Sequence, residues 1–345
     1  MRAALRAFDL SLAEPLATAA AEIDRREGWL IQVRTDDGAG LGEATPLPGW
    51  TESREDCRNG LERAIERLET DGPAAALAAL DGTPAARHGL DGALADLRAR
   101  RADEPLYRFL GGEATVARVP VNATIGDGDV ADTVWAARDA VASGFSCLKV
   151  KVGNDPVDAD VDRLQAVREA VGPSVAIRAD ANGAWSRAQA GAALSAFESV
   201  DVEYVEQPLS ADDLDGHADL PDSGVGIALD ETVAEVGIDA VLDAGIADVA
   251  ILKPMVLGGP TRTVQAAKRA RAAGVEPVVT TTVDAVVARA TAVHCTAAIP
   301  NPSPAGLATG SLLADDLGPD PAPIRDGTAI VPGDKGLGLP GVWDA

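Results

Sequence analysis

From residue 119 to about residue 310 the chain alternates short β-branched or apolar runs with alanine-rich stretches of helical spacing, and it does so eight times. The runs are "VPVNATI", "CLKVKV", "VAIRAD", "VEYVEQP", "GIALDE", "VAILKP", "EPVVTTT" and "AGLATG". Between them the spacing predicts helices over 129–143, 156–171, 186–199, 232–244 and 260–273. Several end at a glycine that suits a helix C-terminus, such as Gly144, Gly172, Gly245 or Gly274. Eight such repeats predict an α/β fold with a closed, TIM-like barrel, because an open doubly wound sheet uses fewer strands. No G-x-G-x-x-G follows a first strand, which argues against a dinucleotide-binding fold.

Residues 1–115 follow another pattern. Two strand-like runs, "RAALRAFDLSL" and "GWLIQVRTDDGAGLGEATPL", precede helical stretches over 53–70, 72–80 and 88–101, which predicts a separate α+β capping domain. The barrel then occupies 116–310. Residues 311–345 are too few for a domain and are expected to pack back on the N-terminal part. A chain of 345 residues that is 46% hydrophobic can bury cores of this size.

In a parallel barrel, side chains two apart on a strand share a face, and the site forms where the strands end. Here five successive strands end in charge: Lys149 and Lys151 on the second, Arg178 and Asp180 on the third, Glu206 on the fourth, Asp230 on the fifth and Lys253 on the sixth. A strand-end salt bridge would explain any one of them; the ordered series argues for a site. The chain has five lysines against twenty-five arginines, and three of the five fall in this series.

Asp180, Glu206 and Asp230 place three carboxylates at one rim, where they raise each other's pKa unless a cation neutralises them. Oxygen donors without His or Cys select a hard ion. Mg²⁺ suits three protein ligands with open positions better than Ca²⁺ does, and Mn²⁺ accepts the same donors. Such an ion would hold a small-molecule carboxylate substrate and stabilise the charge developing on it. Lys151 and Lys253 lie four strands apart of eight and so face each other across the barrel. Lys149, Arg178 and the cation would disfavour protonation of Lys151, making it a candidate general base for a proton alpha to a carboxylate. Asn182 could support a metal-bound water, although "NG" equally marks a turn, and Thr281 and Thr282 are candidate substrate contacts.

A net charge of −24 spread along the chain argues against nucleic acid or an anionic membrane as partner. With so few lysines it resembles proteins of extreme halophiles. Cys57, Cys147 and Cys295 are widely spaced and odd in number, and read as small core residues in a reducing compartment. Arg2, Arg6, Asp9 and Glu14 interrupt the opening stretch, so no signal peptide is expected. No apolar run approaches membrane-spanning length, and a cytoplasmic location is expected. Oligomeric state is not encoded in any of these features.

The motifs "LKVKVG", "RADANGAW", "VEYVEQPL", "IALDET" and "ILKPMVLGG", in this order and spacing, resemble the enolase superfamily in its muconate-lactonizing-enzyme-like branch. The resemblance implies an N-terminal cap on a (β/α)7β barrel, Mg²⁺ on Asp180, Glu206 and Asp230, and Lys151 and Lys253 as the acid/base pair. It also implies that Lys149 and Arg178 tune and orient Lys151. In the cap, "REGWLIQV" and "GLGEATPLPGWTES" are similar to the o-succinylbenzoate synthases of menaquinone biosynthesis, as is "AGLATGSLL" on the last strand. That similarity implies a dehydration through an enediolate, with loops around 16–24 and 46–53 closing over the substrate. An N-acylamino acid racemase, a muconate cycloisomerase and a non-catalytic binding barrel are the other readings.

Overall fold

The cap begins as an antiparallel meander of β1 (Arg2–Ala17), β2 (Glu22–Thr35) and β3 (Gly38–Ala44) in the computed structural model, which describes all residues except 18–21, 113–114, 340 and 345. The second strand-like run therefore folds back on itself across Asp36 and Asp37. Thr35 pairs with Gly38, and the register runs to Trp29 opposite Ala44. Three helices follow: α1 (Arg54–Thr70), α2 (Pro73–Ala78) and α3 (Pro84–Arg101). Ser53 caps α1 by accepting from the Asp56 amide at 3.1 Å, and prolines at Pro73 and Pro84 open the other two, where a missing N–H costs nothing.

Helix α3 lies directly on β3, and glycine is what lets it. A Cβ on Gly40 would meet the Ala93 carbonyl oxygen at 2.1 Å, and one on Gly42 would meet that of Gly89 at 2.0 Å. The sheet's other contacts are apolar. Leu30 and Ile31 are fully buried, a burial worth roughly 1.5–3 kcal/mol per side chain.

A short strand β4 (Arg118–Pro120) leads into seven parallel strands: β5 (Ala123–Ile125), β6 (Cys147–Lys151), β7 (Ala176–Asp180), β8 (Val202–Glu206), β9 (Gly226–Leu229), β10 (Val249–Leu252) and β11 (Glu276–Val279), neighbours in that order. The bridges Val121–Ala305 and Thr280–Gly306 bring the segment 305–306 between the two edges as the eighth staff of the (β/α)7β barrel. Inside it, Tyr204, Ala228, Val249, Ile251 and Val278 pack together. Larger clusters lie between strands and helices.

The helices between strands end where the glycines stand. The helix Val157–Val171 stops at Gly172 (φ 79°) and the helix Pro260–Ala272 shortly before Gly274 (φ 80°). The expected helix over 232–244 is two helices, Glu231–Val236 and Ile238–Ala244. Gly237 between them has φ 83°, a left-handed conformation that no helix continues through. The C-terminal segment supplies β12 (Ile324–Arg325) and β13 (Thr328–Ile330), and β13 pairs with β4 beside the start of the barrel. Beyond it, Leu337, Leu339 and Val342 join a cluster with Phe8, Leu10, Leu12 and Leu30 of the cap. Arg6 donates to the Val342 and Trp343 carbonyls at 2.7 Å each. The three cysteines are buried thiols, and among the described residues no helix is long and apolar enough to cross a membrane.

Candidate active site

The parallel register brings the charged strand ends level: Lys149 pairs with Arg178, Lys151 with Asp180, and Asp180 with Glu206. Lys151 Nζ donates to Asp180 Oδ2 at 2.7 Å and to Asn182 Oδ1 at 2.5 Å. Lys149 Nζ reaches the same Asp180 oxygen at 3.1 Å and Glu206 Oε1 at 2.8 Å. Two ammonium groups thus share one carboxylate oxygen. On the other side, Lys253 Nζ donates to Asp230 Oδ2 at 2.5 Å and sits 3.2 Å from the centroid of the Trp50 ring. The cap loop reaches over the barrel at this point.

The two candidate acid/base lysines have unequal settings. The Lys151 side chain is 34% exposed, whereas that of Lys253 is 11% exposed, roofed by an indole whose face attracts cations.

The carboxylates are almost completely buried, and each titrates according to its neighbours. Burial alone would raise Asp180, but Lys149 and Lys151 outweigh it and hold its carboxyl well below the usual range. Burial and then Asp180 push Glu206 up to about 7, against the pull of Lys149. Burial pushes Asp230 up to about 6, with Lys253 pulling down and Glu231 adding to the rise. Burial would lower Lys149, yet Asp180 and Glu206 hold its ammonium well above the ordinary value, so it is a fixed positive charge beside Lys151. Among the described residues no three His, Cys, Asp or Glu side chains converge as a metal cage; the lysine ammoniums take up the carboxylate oxygens.

The remaining expected residues are placed as follows. Arg178 is at the right level, but its bonds run elsewhere than to Lys151: it donates to Glu203 Oε2 at 2.8 Å and to the Pro304 carbonyl at 2.6 Å, over the Tyr204 ring. Asn182, at φ 44°, accepts from Lys151 and donates through Nδ2 to Glu231 Oε1 at 2.9 Å, so it orients the lysine. Thr281 Oγ1 lies 2.8 Å from Thr309 Oγ1, joining the ends of the seventh and eighth staves. Thr282 Oγ1 donates to Asp284 Oδ1 at 2.6 Å. Of the two expected closing loops, 46–53 is the one that carries Trp50; residues 18–21 of the other lie outside the described residues.

Three contributors were not singled out from sequence. Trp50 and Glu231 are two of them. The third, Gln207, has φ 44° and its Oε1 accepts from the Asp230 and Thr232 amides at 3.1 Å each, which fixes the backbone of Asp230. Its place in "VEQP", between a strand-end glutamate and a proline, was the available signal.

A barrel whose rim carries buried carboxylates and two lysines under a cap is a frame suited to acid/base chemistry. The C-terminal part, residues 132–344, matches the family model for an enolase C-terminal domain-like domain, and residues 1–97 match that for a MenC N-terminal domain. The chain belongs to the enolase superfamily, in its muconate-lactonizing-enzyme-like branch. It is 28% identical to the chloromuconate cycloisomerase of Pseudomonas putida, over 96% of this chain and 93% of the relative. It is also 28% identical to the o-succinylbenzoate synthase of Desulfotalea psychrophila, over 92% and 95%. Among solved structures, the dipeptide epimerase of Enterococcus faecalis V583 complexed with Mg and the dipeptide L-Leu-L-Tyr superposes with TM-score 0.86 at 27% identity, covering 98% of each chain.

Proposed function

We propose that this chain is an o-succinylbenzoate synthase, which dehydrates 2-succinyl-6-hydroxy-2,4-cyclohexadiene-1-carboxylate to 2-succinylbenzoate. The observation that carries the reading is the unequal setting of the two lysines. A racemase needs a base on each face of the substrate, whereas a dehydration that uses one group for both proton steps needs only one. Lys151 is open to a substrate, while Lys253 is pinned between Asp230 and the Trp50 ring. The match of the cap to the MenC N-terminal model supports the same choice.

The donor set suits Mg²⁺, with Mn²⁺ acceptable to the same oxygens. Asp180, Glu206 and Asp230 are hard donors, and Asp180 and Asp230 both raise Glu206, a repulsion that a divalent cation would offset. When bound, the ion would bind the substrate carboxylate and stabilise negative charge on it. The chain's own groups then divide the proton work. Lys151 takes the proton alpha to the carboxylate, leaving the bonding pair in an enediolate that faces Lys253. The same proton passes from Lys151 to the departing hydroxyl, which leaves as water. Asn182 and Asp180 hold Lys151 through both transfers.

Incubating the purified protein and Mg²⁺ with the cyclohexadiene precursor should yield 2-succinylbenzoate. Absence of product, together with exchange of the alpha proton of N-succinyl amino acids, would replace this reading with a racemase. Thermal stability should rise with added Mg²⁺, and Asp230→Asn should remove most of that rise; an undiminished rise takes Asp230 out of the ligand set.

A further inference from the structure

Outside the rim, the most unusual local geometry is at Val283, a β-branched residue with φ 61° in the loop that follows β11. A branched side chain avoids this left-handed region, and a residue kept there is one that its surroundings over-determine. What holds it comes from the cap. Arg26, on β2 and only 2% exposed, donates through Nε to the Val283 carbonyl at 3.0 Å. Its other nitrogens donate to the Thr45 and Pro46 carbonyls at 2.9 and 3.2 Å. Thr45 and Pro46 begin the loop that ends at Ser53 and lays Trp50 over Lys253. One buried guanidinium therefore spans two loops some 240 residues apart in sequence, counting from Pro46 to Val283.

Neighbouring groups secure the tie from both sides. Glu43, fully buried on β3, accepts from the Ala285 and Ala288 amides at 2.9 and 2.8 Å, at the start of the helix Val286–Ala297. Ala285 stands at the N-cap of that helix and has no side-chain acceptor of its own, so a cap-domain carboxylate does the capping. Asp284 accepts from the Thr282 amide and hydroxyl, closing the barrel loop. On the cap side, Thr51 Oγ1 accepts from the Leu47 amide at 2.8 Å and Glu52 accepts from Ala85 and Ala86, closing the Trp50 loop. Each loop is thus tied by hydrogen bonds of its own, and Arg26 is the group that reaches the backbone of both.

We propose that Arg26 is a positioning residue that locks the Trp50 loop of the cap and the Thr281–Ala285 loop of the barrel into a single rigid lip over the site. The inference rests on the proposed chemistry only for its kinetic consequence; the coupling of the loops stands independently of what the enzyme transforms. Arginine suits the task because its planar fork spreads donors over three nitrogens in a fixed geometry and so reaches three separated carbonyls, whereas the three donors of a lysine radiate from one nitrogen.

The test is hydrogen–deuterium exchange on the full chain without substrate, comparing wild type, Arg26→Met and Arg26→Lys. Exchange in the remote helix Val130–Ala142 serves as the reference for global unfolding. Uptake over 46–53 and over 281–285 should rise together in Arg26→Met, and to a smaller extent in Arg26→Lys, with the reference helix unchanged. A rise in one loop alone, or no rise in either, overturns the proposal. If Arg26→Met does not fold, the lysine variant carries the same two outcomes. With the cyclohexadiene precursor, kcat should fall roughly 10- to 100-fold with little change in KM, the cost of misplaced groups over an intact binding site. Coupled loosening in a protein that makes no 2-succinylbenzoate would keep this inference and refute the synthase reading; product formation with uncoupled loops would do the reverse.

Discussion

The proposed division of labour between the lysines begins with which oxygen each one touches. Lys151 and Lys149 share Asp180 Oδ2, so removing Lys151 leaves that carboxylate still paired. Lys151→Ala should therefore abolish turnover while Mg²⁺ binding, read by calorimetry, stays near wild type; substantial residual turnover would remove Lys151 as the base. Trp50→Leu keeps the roof apolar but removes the ring face, a contact worth about 0.5–2 kcal/mol. It should lower kcat without unfolding the cap, and unchanged kinetics would deprive the indole of its role. Glu43 gives a pH signature. Burial and the nearby Asp284 push its carboxyl from 4.5 up to about 7 in the folded chain, so the folded state binds a proton that the unfolded state has already released. Its contribution to stability is full below about pH 4.5 and is lost as pH rises toward 7. Glu43→Gln should flatten part of the fall in Tm across that window, and an unaltered slope would count against the assignment. At this scale the sequence was most informative where periodicity applied: two-residue spacing on consecutive strands predicted the level arc of Lys149, Lys151, Asp180, Glu206, Asp230 and Lys253. It was silent where loops decide. Trp50 and Gln207 act through left-handed or turn backbone and long-range contacts, which leave no period to read, and Arg178 shares the strand face but reaches Glu203 and Pro304 instead of Lys151.

Among the elements, the barrel strands were legible because each is a β-branched run bounded by turn residues, and the helices because their termini carry glycine. Two of the boundaries that moved did so for identifiable reasons. Gly237 splits the helix expected over 232–244, and Asp36–Asp37 turns one expected cap strand into two. Less legible was why α3 follows the meander so closely. That depends on glycines in β3 and α3 meeting face to face, a tertiary fit that no local pattern announces. Gly42→Ala would drive a methyl into the Gly89 carbonyl oxygen. It should destabilise the protein by about 1–3 kcal/mol or more, as overpacking does. Chemical denaturation reads this directly, and a neutral result would mean that α3 shifts freely away from the sheet.

For the molecule as a whole, a net charge of −24 is a self-repulsion that ordinary salt only partly screens. Exposed pairs such as Arg58–Glu62 and Arg67–Asp71 add little individually. Tm should climb from low salt to molar KCl, where the screening length falls to about 3 Å. A Tm that stays flat would show that the acidic surface is not tuned to salt. The cap's dependence on the far end of the chain has a further consequence, for the order of synthesis. Leu337, Leu339 and Val342 complete the apolar cluster beneath β1 and β2, and Arg6 binds the carbonyls of Val342 and Trp343. On the ribosome the first strands made must wait for the last residues before their packing is finished. A nascent chain halted before residue 337 should present a barrel that resists protease and a cap that does not.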